Sequence, residues 1–176
     1  MHAEKHSRVE LATNVSIMIA MVCLTVVLVK NYIIQPRSQS EDVKGINVGD
    51  VLKVDGIDWS KGGRTLVLAL NKDCHFCNDS APFYQRLGQL EGKRTSRLVA
   101  LMPHDRVTSE QYLKSKRIDV DDVVSADLFG LHIPWTPALL LVDQKGMVTK
   151  LWKGRLAPEK EQEVVRSIEE RLLSVF

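Results

Sequence analysis

Three cysteines in 176 residues are too few for the bridge-held scaffold of a small secreted domain. Cys74 and Cys77 make one close pair, and Cys23 lies far off in an apolar segment. Charge of a single sign is lacking too: 24 basic against 22 acidic residues leave a net charge of +2. No basic patch therefore argues for nucleic acid, and no acidic tail argues for a solvating segment. Histidines are as sparse. A structural zinc site needs four ligands, but the globular part holds no second Cys-x-x-Cys and no His-x-x-x-His, and its only histidines are His75, His104 and His132. Repeats and low-complexity tracts are absent. What remains has an ordinary globular composition, 44% hydrophobic and 26% charged, with the length for one domain with a sizeable core plus appendages.

Only one stretch runs long without charge. Leu11 to Val29 is nineteen residues, densely apolar from Val15 onward, between the polar segment Met1–Glu10 and Lys30. A helix of that length comes close to the roughly 30 Å hydrocarbon core of a bilayer, and Tyr32 would sit at the interface. The competing reading is a cleaved signal, but Val29-Lys30-Asn31-Tyr32-Ile33 offers no small-x-small site, and Ala20-Met21-Val22 lacks the small residues a lipid-modified Cys23 would need. The expectation is an uncleaved transmembrane anchor over residues 11–29, with Cys23 a small apolar side chain within it. Residues 30–46, polar and containing Pro36, read as a linker, and residues 47–176 as the globular domain. Lysines and arginines flank the apolar run on both sides, so positive-inside counting leaves the orientation open.

Within the domain, Val51–Val54 suggests a short strand and Asp55-Gly56 a turn. Thr65–Leu70 reads as a buried strand, followed by a helix after Cys74 that carries Phe83, Leu87 and Leu90 on one face. Arg97–Met102 reads as a second buried strand. Thr108-Ser109-Glu110-Gln111 fits a capping box opening a helix that runs to about Lys116. Val120–Ser125 is ambiguous, Ala138–Val142 is strongly strand-like, and Gln144-Lys145-Gly146 turns into a strand over Met147–Trp152. Pro158, with Glu159 and Glu161 in its first turn, opens a last helix lined by Val164, Ile168 and Leu172. This order predicts an α/β fold with a central mixed sheet flanked by helices.

Cys74-His75-Phe76-Cys77 falls between the first buried strand and its helix. A thiol at a helix N-terminus has its thiolate stabilised by unpaired N–H groups and the helix dipole, and a second thiol one turn on can form a disulfide with it. Together with Pro82, five residues after Cys77, and the Trp135-Thr136-Pro137 segment leading into Ala138–Val142, this resembles the active site of thioredoxin-fold proteins. Phe129-Gly130-Leu131 resembles the Tyr-Gly-Val that often precedes that segment. The sixty positions from Cys77 to Pro137 are closer to the TlpA-like redoxins, which carry an insertion and are often membrane-anchored.

The resemblance implies that Cys74 is the attacking thiolate and Cys77 the resolving thiol. It also implies a cis peptide before Pro137, setting the Thr136 backbone opposite the dithiol to pair with a substrate strand. Trp135 borders the site, and Pro134 is the alternative cis-proline. Among the charges, Lys72 and a protonated His75 would favour the thiolate and Asp73 would oppose it. Two departures stand out. Asp73 occupies the place of the tryptophan that usually precedes the first cysteine, and Leu68 the place of the buried acid that takes the resolving thiol's proton.

The function expected is a membrane-tethered thiol–disulfide oxidoreductase with no cofactor beyond its own Cys74–Cys77 disulfide. Its implied partners are cysteine-containing extracytoplasmic proteins and a membrane electron donor that works through thiols. A tethered dithiol makes sense outside the glutathione-buffered cytosol, which places the domain on the extracytoplasmic side. Two readings compete. One is a peroxiredoxin-like peroxidase, although Asn71 stands where that family has Thr or Ser three residues before its cysteine. The other is a metal-binding or non-catalytic interaction module of the same fold.

Overall fold

The computed structural model describes residues 16–25, 45–90, 92 and 94–169. The chain divides into two compact units, Met1–Asp42 and Val43–Phe176. In the first, residues 16–25 form an exposed helix, α1. Among the described residues no helix is long and apolar enough to cross a membrane. Residues 11–15 and 26–29 of the apolar run lie outside the described residues, as do residues 30–44 of the expected linker. Gly45 and Ile46 are part of the second unit: Ile46 is buried, and its N–H donates to the carbonyl of His132 at 2.7 Å.

The second unit is built on a five-stranded mixed sheet. In chain order its elements are β1 (Arg64–Ala69), α2 (His75–Asp79), α3 (Ala81–Gln89), β2 (Ser96–Met102), α4 (Arg106–Ser115), β3 (Asp122–Ser125), β4 (Ala138–Val142), β5 (Val148–Lys153) and α5 (Pro158–Glu169). The spatial order is β3-β2-β1-β4-β5. β1 and β2 pair in parallel, as do β2 and β3, while β4 runs antiparallel to both β1 and β5. Parallel neighbours need a crossover, and α3 and α4 supply the two that are required.

Strand β1 is central, and its alternation divides the core. Leu66, Leu68 and Leu70 face a cluster with Tyr84 and Leu87 of α3, Tyr112 and Leu113 of α4, and Val164 and Ile168 of α5. Val67 and Ala69 face the other way, onto Ile46, Leu52, Leu128 and Ile133. Helices thus close one face of the sheet, and irregular segments on either side of the strands close the other. Both faces of β1 are fully buried, which is why it reads as an unbroken apolar run rather than an alternating one.

Three elements differ from the sequence expectation. The helix after Cys74 is two helices, broken at Ser80, because Pro82 sits in the first turn of α3, where its missing N–H leaves no ladder bond unmade. Helix α4 begins earlier than its Thr-Ser-Glu-Gln motif suggests. Asp105 is the N-cap and accepts the Thr108 N–H at 2.9 Å, a charged acceptor at the positive end of the helix dipole. Val51–Val54 makes no strand. Val51 forms a single bridge to Met147, and the Leu52 N–H donates to Gly146, so the segment is tied to the β4–β5 turn rather than to a strand edge.

Candidate functional site

Strand β1 ends at Ala69, and five residues later Cys74 caps α2. The turn between them is held from within. The side chain of Asn71 accepts the Asp73 N–H at 2.9 Å, and the Asn71 carbonyl accepts the Cys74 N–H at 3.1 Å. The side-chain amide of Asn78 donates back to the carbonyls of Lys72 and Cys74. This leaves Cys74 with extended backbone, its Sγ accepting the Cys77 N–H at 3.3 Å as an N-cap does. The thiol also lies 3.2 Å from the carbonyl oxygen of Thr136, to which it donates.

Thr136 comes from far along the chain. The Thr136–Pro137 peptide is cis, whereas the bond before Pro134 is trans, and Pro137 leads directly into β4, the neighbour of β1. The pairing of Ala69 with Ala138 sets the two segments side by side. Sheet register therefore brings the dithiol and the Thr136 backbone together. Beside them, Trp135 is half-buried, with Lys153 stacked over its ring at 3.9 Å from the centroid.

The two thiols are unequal. Both are free; Cys74 is partly accessible and Cys77 fully buried. Burial pushes Cys74 up, but its side-chain hydrogen bonds with Cys77 and Thr136 and the backbone N–H groups of Cys77 and Phe76 outweigh this. The net result is a thiol below its ordinary range. Burial dominates at Cys77, and with the adjacent Cys74 it pushes that thiol up to about 12. The pattern suits an attacking thiolate in front of a protonated second thiol.

The charged neighbours are spent on one another. Lys72 binds both carboxylate oxygens of Asp73, at 2.8 and 3.0 Å, and His104 stands 4.0 Å from the same carboxylate. His75 lies 3.3 Å from Asp79, which Arg155 also contacts at 3.4 Å. Lys72, Asp73 and His75 thus form local pairs, and hydrogen bonds rather than these charges depress Cys74. Phe76 is exposed beside the thiol, and Leu68 is fully buried in the cluster that contains Cys77. Among the described residues no group of three or more His, Cys, Asp or Glu converges as a metal site.

Asn78 belongs to this site and Tyr112 to the buried cluster around Cys77, and neither was singled out from the sequence, whereas Asn71 and His104 were named there only in the peroxidase and zinc comparisons. Asn78 alone carried a local signal, four residues beyond the N-cap on the same helix face.

No protein-family model and no curated protein matches the chain. Solved structures do. The chain is similar to the thioredoxin domain of a thiol-disulfide oxidoreductase from Bacteroides vulgatus, with 16% identity, a TM-score of 0.56, and 72% of this chain and 100% of that one covered. It is also similar to StoA from Bacillus subtilis, with 18% identity, a TM-score of 0.51, and 68% and 95% covered. A thiol-disulfide isomerase from Corynebacterium glutamicum aligns with 14% identity, a TM-score of 0.51, and 72% and 94% covered. At these identities the likeness is one of fold: the second unit has a thioredoxin-like fold.

Proposed function

We propose that this chain is a membrane-anchored thiol–disulfide oxidoreductase that uses Cys74 and Cys77 to reduce or exchange disulfides in extracytoplasmic proteins. The observation that carries the reading is the inequality of the two thiols. Cys74 is accessible, depressed in pKa and set 3.2 Å from the Thr136 carbonyl, whereas Cys77 is buried and raised. The solved structures of similar fold include proteins described as a thiol-disulfide oxidoreductase and a thiol-disulfide isomerase, which supports the same chemistry here.

In the reaction the Cys74 thiolate attacks one sulfur of a partner disulfide. A mixed disulfide forms, and the other partner sulfur leaves with the electron pair and takes a proton from solvent. Cys77 then loses its proton and attacks Cys74 Sγ. The Cys74–Cys77 bond forms, the bond to the partner breaks, and the partner is released with two electrons. An external dithiol must restore the reduced pair, and a membrane electron donor working through thiols fits that need. The Thr136 backbone beside the thiol would pair with the extended substrate segment, with Trp135 at its border. The apolar run over residues 11–29 supports a single-pass anchor, and a membrane-tethered dithiol fits the side away from the reducing cytosol.

The test is disulfide exchange by single-cysteine variants. Cys74→Ser is expected to abolish exchange, and Cys77→Ser to accumulate a mixed disulfide with its partner. Exchange that persists in the Cys74 variant overturns the reading.

A further inference from the structure

Strand β5 ends at Lys153, and the turn after it touches both segments that carry the reacting groups. The Gly154 N–H donates to the carbonyl of Pro137 at 2.8 Å, which fastens the turn to the cis-proline. Arg155, the next residue, contacts Asp79 of α2 at 3.4 Å. Lys153-Gly154-Arg155 therefore bridges the Thr136-Pro137 segment and the helix that Cys74 caps, and it forms one border of the site.

The charges around that border are unequally spent. Arg155 and His75 share the Asp79 carboxylate, and Lys72 is bound to Asp73. Lys153 differs: among the described residues no carboxylate pairs with its ammonium, which rests 3.9 Å from the centroid of the Trp135 ring. The side chain is exposed, and the aromatic face holds in one place a lysine that would otherwise sample many rotamers. Thr136, the residue after that ring, has its carbonyl 3.2 Å from Cys74 Sγ. An uncompensated cation thus stands next to the backbone along which a substrate strand would lie.

We propose that Lys153 is a specificity-determining residue: it selects protein disulfides that carry an acidic side chain within two residues of the cysteine attacked. This rests on the oxidoreductase reading above and adds a substrate class to it. Side chains of a strand alternate, so the second residue to either side shares the face of the cysteine, about 7 Å along the strand. The flexible four-carbon stem of a lysine matches a span of that size. A substrate carboxylate pairs with Lys153 without displacing a resident one, as it would have to at Lys72 or Arg155. Exchange itself is unaltered: a bond from Cys74 to the substrate forms, the substrate disulfide breaks, and the departing sulfur takes the electron pair.

The test uses the full chain with Cys23→Ser as parent, which leaves only the two site thiols. Its probes are three synthetic peptides, each with one cysteine held as a mixed disulfide with thionitrobenzoate and with Glu, Gln or Lys two residues to either side. Released thionitrobenzoate gives a second-order rate for each peptide. The parent is expected to favour the Glu peptide over the Gln peptide roughly threefold at low salt, with the preference fading as salt is added. Lys153→Gln should bring that ratio close to one, and Lys153→Glu should favour the Lys peptide instead. Equal rates for the three peptides in the parent overturn the proposal, and so does a ranking that survives Lys153→Glu. Uniform slowing of all three in both variants also overturns it, because this marks a packing role. Uncharged 2,2′-dithiodipyridine keeps the two readings apart. If the parent releases no pyridinethione from it, the oxidoreductase reading fails and this one with it. Normal release beside equal peptide rates removes only the role of Lys153.

Discussion

The side-chain amide of Asn78 donates to the carbonyl of Cys74 at 3.0 Å and to that of Lys72 at 3.1 Å. One side chain thus ties the turn before the first thiol to the helix after it.

Asn78→Ala takes the side-chain donor from the Lys72 carbonyl and leaves the Cys74 carbonyl with the backbone N–H of residue 78, in a part-buried turn. A loss of about 1–2 kcal/mol follows, together with slower alkylation of Cys74, because the N-cap geometry that lowers its pKa loosens. Urea unfolding and iodoacetamide kinetics measure the two effects. A variant with unaltered alkylation would show that the turn holds itself.

Much of this arrangement was legible in the sequence, and the reasons are local. Thr65–Leu70 and Ala138–Val142 are apolar runs that only a doubly covered strand explains, and the Cys-x-x-Cys and Thr136-Pro137 motifs mark their own positions. What was not legible comes from packing. The break at Ser80 was missed because Pro82 reads equally well as a bend in one helix and as the first turn of a second. The segment Val51–Val54 has strand-like residues, but its hydrogen bonds go to the β4–β5 turn, which sequence does not announce. His104 and Tyr112 reach the site on the β2–α4 crossover, so only the sheet order places them beside Cys74 and Cys77.

The two thiols should separate cleanly by pH. Cys74, depressed by its hydrogen bonds against the opposing pull of burial, is expected to alkylate with a midpoint below that of a free cysteine. Cys77, held up to about 12 chiefly by burial, should resist alkylation until well above pH 9. Mass spectrometry of peptides alkylated across pH 5–11 reads both. Equal modification of the two at pH 8 contradicts the assignment of roles.

The raised thiol also sets an alkaline limit on stability. Its folded pKa lies above its unfolded value, so its contribution is complete below the unfolded pKa and is lost as pH rises toward about 12. The reduced domain should therefore weaken above about pH 9. The oxidised domain, with no Cys77 thiol to ionise, should weaken less steeply. Denaturation midpoints of both forms between pH 7 and 11 decide this, and parallel curves would assign the decline to other groups.

At the acid end the corresponding group is Asp121. Burial pushes its carboxyl up, but the Arg94 guanidinium, in contact at 2.6 and 2.8 Å, and the Leu98 N–H at 2.6 Å outweigh this and hold it below the ordinary aspartate range. A depressed carboxylate stabilises fully above its unfolded pKa of about 4 and loses that contribution as pH falls through the folded value. Asp121→Asn should cost about 2 kcal/mol at neutral pH, since Arg94 remains buried without its partner. The variant should also lose part of the wild-type decline below pH 4. Urea titrations at pH 3 and pH 7 measure both, and a neutral variant would show that solvent already satisfies the pair.

Gly45 makes the last case. A side chain placed there would overlap the six-membered ring of Trp135, over which Lys153 is stacked. Gly45→Ala therefore has to move the indole, at a cost of about 1–3 kcal/mol. Thr136, whose carbonyl faces Cys74, is the next residue, so the displacement reaches the segment proposed to pair with substrate. The expected outcome is altered tryptophan fluorescence and weaker exchange with a disulfide-bonded protein. Exchange with a small disulfide probe, which needs only the thiol, should stay near wild type. Combining Gly45→Ala with Trp135→Leu removes the overlap, and the double variant should recover most of the lost stability. If the two changes instead add independently, Gly45 is selected for something other than the ring packed against it.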